Sequence, residues 1–468
     1  MTADVFDVVV VGAGVAGLAV AHDLAASGRS VMVLEGDDRV GGLLRRGSVG
    51  GVAVDVGAEA FALRTTGVAD LVADAGLDVE IVTPAPGGAH LVVNGDQGLV
   101  RAPLPERAVL GIPADPLAPD VVRILGAAGA ARAAAEVTDG AGLRHDHPEE
   151  PSLAELVARR CGEVLVERLV DPLCRSVYSV PASEAHLSRL HPALWREFVA
   201  RGSLLAAAGA LAAPARAGAA VAGVAGGMWR FAENLAAAAG ERGAQLRLGS
   251  AVRALTTHGT GTTVATDHGS VTGRRVVIAT GAAAARTLLG VAPVTTPAVR
   301  VVVARVDAPA LDAHPVGSGV IVGADVPTAA KALTHVTAKW PWAAADRAAG
   351  DHLVRLSARD ATAPGLDTRA DVAREVSLLT GVQIDADAIR GLESVVWNDA
   401  VAARPVDADH ESLLAARGIR LVGAAVAGTG LASVIPHARA VARDLADELA
   451  PAAPASPTLS ASTPRRNA

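Results

Sequence analysis

The stretch VVVVGAGVAGLAVAHDLAASGRSVMVLE, residues 8–35, has the pattern of a strand, a glycine-rich turn, a helix and a second strand. Residues 8–11 are a continuous run of valine, which is typical of a strand buried on both faces. Gly12, Gly14 and Gly17 then form G-x-G-x-x-G. In such a turn the first glycine makes the tight bend, the second lets a pyrophosphate approach the backbone, and the third lets the helix pack closely on the sheet. The stretch therefore predicts a βαβ unit that binds a dinucleotide.

The residues at the end of the second strand indicate which dinucleotide is bound. Glu35 lies about 20 residues after the glycines, where an acidic side chain can hold both hydroxyls of an adenosine ribose. From Glu35 through Arg39 to Gly41 and Gly42 the chain reads E-x(3)-R-x-G-G, which resembles the motif that follows the βαβ unit in flavin-dependent amine oxidases. An arginine beside a Gly-Gly turn suits a doubly charged pyrophosphate. FAD is therefore preferred over NAD, with a solvated surface turn as the alternative interpretation.

The composition limits the class of protein. The chain has 468 residues, enough for roughly two or three domains. Its net charge is −7 and it has no basic block, which argues against nucleic-acid binding. Lys331 and Lys339 are the only lysines, so an anionic substrate would be held mainly by arginines. Aromatic residues make up 2% of the chain, which leaves little material for an aromatic cage.

Cysteine content and hydropathy bear on the cofactor linkage and on the location. Cys161 and Cys174 are too few for a disulfide framework or a metal site, and neither lies in the C-terminal segment, so FAD is expected to bind non-covalently. No signal or transit peptide is recognised, and we predict a cytoplasmic protein. The apolar stretch at residues 204–225 is interrupted by Pro214 and Arg216. It is therefore predicted to pack on protein, with a shallow contact with a membrane surface as the alternative.

The order of predicted strands and helices indicates a discontinuous FAD-binding part. Residues 276–281, VVIATG, resemble the strand that returns the chain to the FAD domain in glutathione-reductase-like folds, and residues 418–423 begin a later return. We predict an α/β fold (α+β overall) with a glutathione-reductase-like FAD-binding domain, a substrate-binding sheet domain and a helical insertion. The predicted boundaries are 1–85, 226–290 and 392–450 for the FAD-binding domain, 86–110 and 291–391 for the substrate-binding domain, 111–225 for the helical insertion and 451–468 for a disordered tail.

Five further segments are distributed along the chain: GAEAFALR at residues 57–64, APLP and LGIP within 91–113, the run from DPL to VYS at 171–179, GGM at 226–228 and TAKWP at 337–341. Their order and spacing resemble the oxygen-dependent protoporphyrinogen and coproporphyrinogen oxidase family over nearly the whole chain. The resemblance is greatest to the soluble coproporphyrinogen III oxidases of the coproporphyrin-dependent heme pathway. It implies FAD as cofactor, a porphyrinogen as substrate and O2 as electron acceptor.

The chain departs from the family's pattern in several segments, and a late P-x-Y…G-H element is reduced to Pro405 and His410. Thr65 stands where the family usually has lysine, and Val180 falls in an altered segment that follows Tyr178. Ser433 ends a motif that is G-V-G-I-P-D in the family and GTGLAS here, at residues 428–433. The surviving glycines leave the prediction of flavin binding unchanged. The departures affect the predicted substrate contacts and leave open a catalytically inactive FAD-binding scaffold.

The glycine pattern and the resemblance together predict the site residues. No catalytic acid, base or nucleophile is predicted, because the pyrrole nitrogens of a porphyrinogen can stabilise the cation left by hydride loss. Arg64 and Arg175 are predicted to bind substrate carboxylates, with ordinary surface arginines as an equal alternative. No metal site is predicted. The predicted cofactor-binding residues are Gly12, Gly14, Val15, Ala16, Gly17, Glu35, Gly36, Arg39, Gly41, Gly42, Leu43, Gly57, Ala58, Glu59, Val252, Thr280, Gly281, Trp397, Gly423, Gly430 and Val434.

The function implied by the resemblance is oxidation of coproporphyrinogen III to coproporphyrin III in heme biosynthesis. Six electrons leave in three hydride transfers to flavin N5, and H2O2 is released. The lack of a convincing membrane segment favours coproporphyrinogen III over the less soluble protoporphyrinogen IX. A flavin amine oxidase and a carotenoid-type desaturase are the other enzyme hypotheses. Docking with other heme-pathway enzymes is a further predicted interaction.

Overall fold

The computed structural model describes residues 5–137, 150–178, 180–212, 221–259, 261–292, 298–362, 364–398, 400 and 408–450. The predicted tail at residues 451–468 lies outside these ranges, as do parts of the predicted helical insertion, including the residues that interrupt the apolar stretch at 204–225. Within the described ranges, no helix is both long enough and apolar enough to cross a membrane.

The strands are mostly short and belong to two large sheets and several small ones. They are β1 (Val5–Val11), β2 (Val31–Leu34), β3 (Arg46–Val49), β4 (Val52–Asp55), β5 (Phe61–Ala62), β6 (Ile81–Val82), β7 (His90–Gly95), β8 (Gly98–Pro103), β9 (Ala108–Val109), β10 (Ile112–Pro113), β11 (Val221–Val224), β12 (Gln245–Arg247), β13 (Val252–His258), β14 (Gly261–Thr266), β15 (Gly269–Ile278), β16 (Val299–Asp307), β17 (Gly319–Val322), β18 (Ala330–His335), β19 (Asp351–Ala358), β20 (Ile389–Trp397) and β21 (Ile419–Leu421).

The helices vary from single turns to 18 residues. They are α1 (Val15–Ala26), α2 (Gly67–Ala75), α3 (Pro119–Ala134), α4 (Leu153–Cys161), α5 (Glu163–Leu165), α6 (Asp171–Leu173), α7 (Leu187–Leu190), α8 (Pro192–Arg201), α9 (Leu204–Leu211), α10 (Trp229–Glu241), α11 (Ala282–Leu288), α12 (Val336–Lys339), α13 (Pro341–Ala344), α14 (Arg369–Thr380), α15 (Ala408–Ala416), α16 (Ala424–Ala427) and α17 (Leu431–Glu448), with π-helical segments at Val166–Val170 and Cys174–Tyr178 and 3-10 helices at Pro309–Ala313 and Ala386–Ala388.

Strand β1 lies at the centre of a mainly parallel sheet. It pairs with β2 on one side and β15 on the other, β12 extends the sheet beyond β2, and β21 pairs with the C-terminal part of β15. The N-terminal part of β15 continues antiparallel into β14 and β13. Val8 and Val10 pack in the apolar cluster that contains α1, α10 and α17, whereas Val9 and Val11 belong to the cluster on the other face. The valine run is thus buried on both faces, as its sequence predicts.

A second sheet has the strand order β20-β16-β19-β18-β17-β7-β8, and α14 packs on one of its faces. Strands β17 and β7 run parallel, whereas the other neighbours run antiparallel. Strand β20 pairs with β16 up to Trp397. Residues 392–397 therefore lie in the second sheet. The chain returns to the predicted FAD-binding domain only after Trp397, a few residues later than the predicted boundary at residue 392. Likewise β11 pairs with β5 and β6, so residues 221–224 do not belong to the helical insertion to which the sequence assigned them.

Helices α3, α4, α5, α7, α8 and α9 share one apolar cluster with residues of β7 and β8. Ser152 begins α4 with a capping box, since its Oγ accepts from the Glu155 N–H at 3.2 Å and the Glu155 carboxylate accepts from the Ser152 N–H at 2.9 Å. Gly162, with φ of 95°, ends α4.

Candidate functional site

Three glycines shape the turn between β1 and α1. Gly12 has φ of 106°, and a Cβ added there would lie 3.1 Å from the carbonyl carbon and oxygen of Ala279. A Cβ on Gly17 would lie 2.0 Å from the Gly12 oxygen, so only glycine allows this packing. A Cβ on Gly14 would meet nothing within 4 Å, so the backbone there borders open space. The turn thus has the shape that lets a pyrophosphate approach the second glycine.

Two long helices near this turn begin without a side-chain cap. Gly14 precedes α1 and Gly430 precedes α17, neither supplies a side-chain hydrogen bond, and neither helix has an acidic residue in its first turn. A Cβ on Gly423, in the segment that leads to α17, would lie 3.6 Å from the Cβ of Ala16 at the start of α1. The uncapped N–H groups and the partial positive charge of such a helix start favour a bound anionic group.

The Glu35 carboxylate lies beside the glycine turn. Its Oε2 accepts from the Ala13 N–H at 2.6 Å, and its Oε1 accepts from the Asp37 N–H at 2.9 Å. The Glu35 backbone is held in turn by Arg247 O at 2.9 Å and by the Ser250 N–H at 2.6 Å. Two backbone donors fix the orientation of the carboxylate, and its remaining lone pairs can accept from hydroxyl groups. This geometry fits the ribose contact that the sequence predicts for Glu35.

The Gly41–Gly42 turn packs against the same loop. The Gly41 N–H donates to Ala13 O at 2.9 Å, and a Cβ on Gly42 would lie 3.4 Å from the Cα of Gly14. The Arg39 side chain, which precedes the turn, is 26% exposed. The two predicted phosphate-binding motifs, separate in the sequence, are therefore brought together by backbone contacts.

A second close approach of two backbone segments occurs at Gly57. The Ala58 N–H donates to Leu43 O at 2.9 Å, and a Cβ on Gly57 would lie 1.8 Å from that oxygen. The Trp397 indole donates from Nε1 to Val56 O at 2.9 Å and lies 3.3 Å from the same Cβ position. Trp397 also packs in the apolar cluster of the β3–β4 hairpin. Its indole therefore stabilises the Gly57 turn, and its direct contact with a cofactor stays a prediction.

The other predicted cofactor residues border these segments. Gly36 follows β2, Thr280 and Gly281 follow β15, and Gly423 follows β21. Because these strands run parallel to β1, all of these residues lie at the same carboxyl edge of the sheet as the glycine turn. The remainder are Val15 and Ala16 in the first turn of α1, Val252 at the start of β13 and Val434 in the first turn of α17.

Glu59 lies in a buried group of charges beyond the Gly57 turn. Its Oε1 accepts from Lys339 Nζ at 2.7 Å and from Thr334 Oγ1 at 3.3 Å, and its Oε2 lies 3.7 Å from Arg355 Nη1. Burial alone would raise the pKa of Glu59, but Lys339 and Arg355 hold it below its ordinary value, so the carboxylate is ionised at neutral pH. The Glu59 carboxylate, which was predicted to contact the cofactor, thus forms ion pairs with two cations within the protein. Any contact of Glu59 with the cofactor stays a prediction.

Asp55, at the end of β4, is a second carboxyl group near the Gly57 turn. Its Oδ2 accepts from the Met228 N–H at 3.0 Å, at the start of α10. Its Oδ1 is buried and has no hydrogen-bond partner in the part of the chain that the structure describes. Burial, reinforced by the nearby Glu59 carboxylate, raises the pKa of Asp55 to about 7 despite the Met228 hydrogen bond. Asp55 therefore titrates near neutrality.

Replacing Asp55 with asparagine is expected to remove a pH dependence of stability. Because the folded pKa of Asp55 lies above its unfolded value, its contribution to stability is lost as the pH rises through about 7. Between pH 5 and pH 7, the free energy of unfolding of Asp55→Asn relative to the wild type should rise by roughly 2 kcal/mol, at about 1.4 kcal/mol per pH unit until the pH approaches the folded pKa. Urea unfolding of both proteins across this range measures the difference. A difference that does not change with pH would contradict the raised pKa.

The two arginines predicted to bind substrate have partners within the protein. Arg64 is exposed and donates to Ser433 Oγ in the first turn of α17, and Thr65 Oγ1 donates to a carbonyl of the same turn at 3.0 Å. Arg175 is 46% exposed and pairs with Asp171 at 2.6 Å. Two of the departures from the family's pattern, Thr65 and Ser433, thus lie where residues 64 and 65 bond the first turn of α17. Substrate binding by either arginine stays a prediction.

The second sheet has a polar region in the middle of one face. One end of this face packs against the β3–β4 hairpin and the other against the helical insertion, in two separate apolar clusters. Ala330 and Leu333 of β18 and alternate residues of β19 pack on the opposite face, under α14. We call the half-buried residues between the two clusters the open strip: Lys331, Ala332, Thr334, Arg355 and Ser357. Thr334 and Arg355 connect the open strip to Glu59, next to the Gly57 turn.

Sequence reasoning did not identify Arg355 or Lys331 as members of the site. Arg355 and Ser357 alternate with buried residues along β19, which is the pattern of a strand with one polar face, but the pattern does not say what that face meets. Lys331 is one of two lysines in an arginine-rich chain. Its place in a strand was the signal that could have indicated a lysine on a polar face of the sheet.

A family model described as "Flavin containing amine oxidoreductase" matches residues 15–445. The chain belongs to this family. It is therefore a flavin-dependent oxidoreductase, and the prediction of a flavin enzyme is confirmed.

Relatives in this family differ in the activity that their names state. A coproporphyrinogen III oxidase of Mycobacterium leprae is 40% identical over 177 residues, which cover 37% of this chain and 38% of that protein. A candidate flavin-containing monoamine oxidase of Mycobacterium tuberculosis is 31% identical over 278 residues, which cover 58% of this chain and 56% of that protein. The chain thus spans less than two thirds of the length of each relative. These matches confirm the resemblance expected from the sequence and leave the substrate to be proposed.

Solved structures extend the likeness over almost the whole chain. The crystal structure of a candidate protoporphyrinogen oxidase from Exiguobacterium sp. 255-15 has a TM-score of 0.78 at 22% identity, and the match covers 96% of this chain and 100% of that one. Cyclohexylamine oxidase from Brevibacterium oxydans has a TM-score of 0.63 at 18% identity, covering 95% and 99%. At such identities the likeness shows the fold alone, and the predicted fold class is confirmed.

Proposed function

We propose that this oxidoreductase is a coproporphyrinogen III oxidase that uses FAD and O2. The observation that carries the proposal is the open strip, a half-buried polar surface that lies between two apolar clusters and adjoins the Gly57 turn. A porphyrinogen combines apolar pyrrole rings with carboxylates at its edge. The cationic groups of this half-buried strip complement the carboxylates of such a substrate.

The charges near the open strip favour an anionic substrate. Lys331, Lys339 and Arg355 are cations, Glu59 is the ionised acid, and Asp55 titrates near neutrality. The local charge at neutral pH is therefore positive, although the whole chain carries −7. The propionates of coproporphyrinogen suit such a surface, whereas a protonated amine would be repelled by it. The strip also has no aromatic member with which to cage an amine.

The residues at the carboxyl edge of the first sheet fit FAD. The glycine turn and the uncapped start of α1 would hold its pyrophosphate, and Glu35 would hold its adenosine ribose. When bound, FAD supplies a two-electron acceptor that O2 can reoxidise. We propose non-covalent binding because Cys161 and Cys174 are buried in the helical insertion, where burial raises the pKa of both thiols to about 12.

In this proposal the protein positions the substrate and excludes water. Glu59 is held ionised by Lys339 and Arg355 and so fixes the orientation of both cations. The apolar clusters at the two ends of the open strip keep water from its flanks. The overall reaction removes six electrons and six protons from coproporphyrinogen III, so three O2 are reduced to three H2O2 for each coproporphyrin III formed.

Anaerobic addition of coproporphyrinogen III to the purified holoprotein tests the proposal. We expect the flavin absorbance near about 450 nm to bleach, and to recover when air is admitted as porphyrin fluorescence and H2O2 increase. Protoporphyrinogen IX in a parallel experiment ranks the two porphyrinogens. A flavin that stays oxidised with both would rule out a porphyrinogen oxidase.

An amine oxidase is the second candidate, because the family description and the mycobacterial relative include that class. Bleaching by amines but by neither porphyrinogen would support it. Flavin that is bound but reduced by none of these compounds would support a scaffold. Location in the cytoplasm, a shallow membrane contact and docking with heme-pathway enzymes stay predictions.

A further inference from the structure

A β-bulge places Lys331 on the open strip. Ala330 pairs with Ala358 and Ala332 pairs with Ser357, so the register shifts between them and Lys331 is the extra residue. Ala330 packs in the cluster under α14, and the next residue of an extended chain lies on the opposite face. That face carries the half-buried Ser357. Lys331 and Ser357 are therefore neighbours on the open strip.

The Lys331 ammonium has no counter-charge among the residues that the structure describes. Lys331 is half-buried, and burial lowers its pKa without an acidic group that raises it. Glu375 bonds the Ala330 N–H at 3.3 Å from the α14 side of the sheet and does not offset the charge of Lys331. The other lysine, Lys339, is paired with Glu59 at 2.7 Å. A partly buried cation of this kind is stabilised when a ligand supplies the negative charge.

We propose that Lys331 binds a carboxylate of the porphyrinogen, with Ser357 as a second donor, and thereby determines specificity for propionate-bearing substrates. The proposal rests on the proposed function. Lys331 lies three residues before Thr334, which contacts Glu59. At about 3.3 Å per residue this separation is roughly 10 Å, a distance that a tetrapyrrole can span. One substrate can therefore lie over the strip while one of its carboxylates meets Lys331.

Binding of two porphyrins to the holoprotein separates charge recognition from ring recognition. Coproporphyrin III carries the carboxylates, and its tetramethyl ester has the same rings without them. We expect Lys331→Met to bind coproporphyrin III about tenfold or more weakly in a fluorescence titration, the loss that corresponds to one charge-assisted hydrogen bond. Binding of the ester should not change. Lys331→Arg should keep most of the affinity for coproporphyrin III, and Arg242→Met, which removes an exposed arginine after α10, is the matched control.

Turnover adds a second readout. Loss of an interaction made equally in the bound substrate and the transition state raises KM and leaves kcat nearly unchanged, which is the pattern expected for Lys331→Met. Equal coproporphyrin binding by Lys331→Met and the wild type would overturn the assignment and leave the proposed function intact. A wild type that binds neither porphyrin would overturn both. Parallel loss of acid and ester binding would show that Lys331 is structural. If Lys331→Met does not retain flavin, Lys331→Gln is compared with Lys331→Arg in the same way.

Discussion

A protein with alanine in place of Gly57 is expected to lose its flavin and much of its stability. The added Cβ would lie 1.8 Å from the Leu43 carbonyl oxygen and 2.8 Å from its carbonyl carbon. Both are backbone atoms, so relief requires one segment to move and the bond from the Ala58 N–H to Leu43 O to break. We expect the free energy of unfolding to fall by about 3 kcal/mol or more, the upper end for overpacking. The flavin-to-protein absorbance ratio and urea unfolding measure both effects.

The same substitution at Gly240 is the matched control. Gly240 lies in α10, and a Cβ there would meet nothing within 4 Å. Alanine is the better helix former, so Gly240→Ala should raise the free energy of unfolding by roughly 1 kcal/mol and keep the flavin. If Gly57→Ala retains full flavin and wild-type stability, the close approach of the two segments does not constrain the protein.

The first sheet and its glycine turn could be predicted because their signals are local. The spacing of Gly12, Gly14 and Gly17 can be read within one βαβ unit, and Glu35 follows at a spacing that the fold requires. Parallel pairing then brings the ends of β2, β15 and β21 to the same edge without further information. The cofactor residues predicted after β15 and β21 came from the resemblance, and their contacts with a cofactor stay a prediction.

The charged group around Glu59 could not be predicted, because it depends on contacts between distant residues. Glu59 and Lys339 are 280 residues apart in the chain. Arg355 lies on β19, the strand next to β18, and reaches Glu59 from there. The local sequence around each of these three residues predicts its own strand, helix or loop and carries no information about the other two. The family-like segments around Glu59 and Lys339 indicated that both matter, but not that their side chains meet.

Strand boundaries and the bulge show the same limit. Trp397 ends β20 in the second sheet, although its indole donates to Val56 O in the predicted FAD-binding domain. The sequence prediction therefore assigned Trp397 to the FAD-binding domain, whereas its backbone belongs to the second sheet. Lys331 lies on the open strip because one extra residue shifts the register of β18. Alternation along the strand places side chains on faces, and an unseen bulge reverses that assignment for the residues beyond it.

Removing the Glu59 carboxylate is expected to destabilise the protein more than removing an exposed carboxylate in an equally short ion pair. Glu59→Ala leaves Lys339 and Arg355 close together, half-buried and without an acid between them. Loss of one partner of such a buried pair costs about 3–5 kcal/mol, because the remaining charge is uncompensated. Urea unfolding at pH 7 measures the loss. Porphyrin binding should weaken as well, since the two cations are no longer held in place.

Asp267→Ala is the matched control. Asp267 pairs with Arg253 at 2.7 Å, the same distance as between Glu59 and Lys339, but the side chains of Arg253 and Asp267 are 64% and 49% exposed. Water screens that pair, so its loss should change stability little. Glu59→Gln then separates charge from packing, since it keeps the shape and removes the charge. A Gln variant as stable as the wild type would contradict the charge argument. A Gln variant nearly as unstable as Glu59→Ala would show that the carboxylate is required to hold two cations at the edge of the open strip.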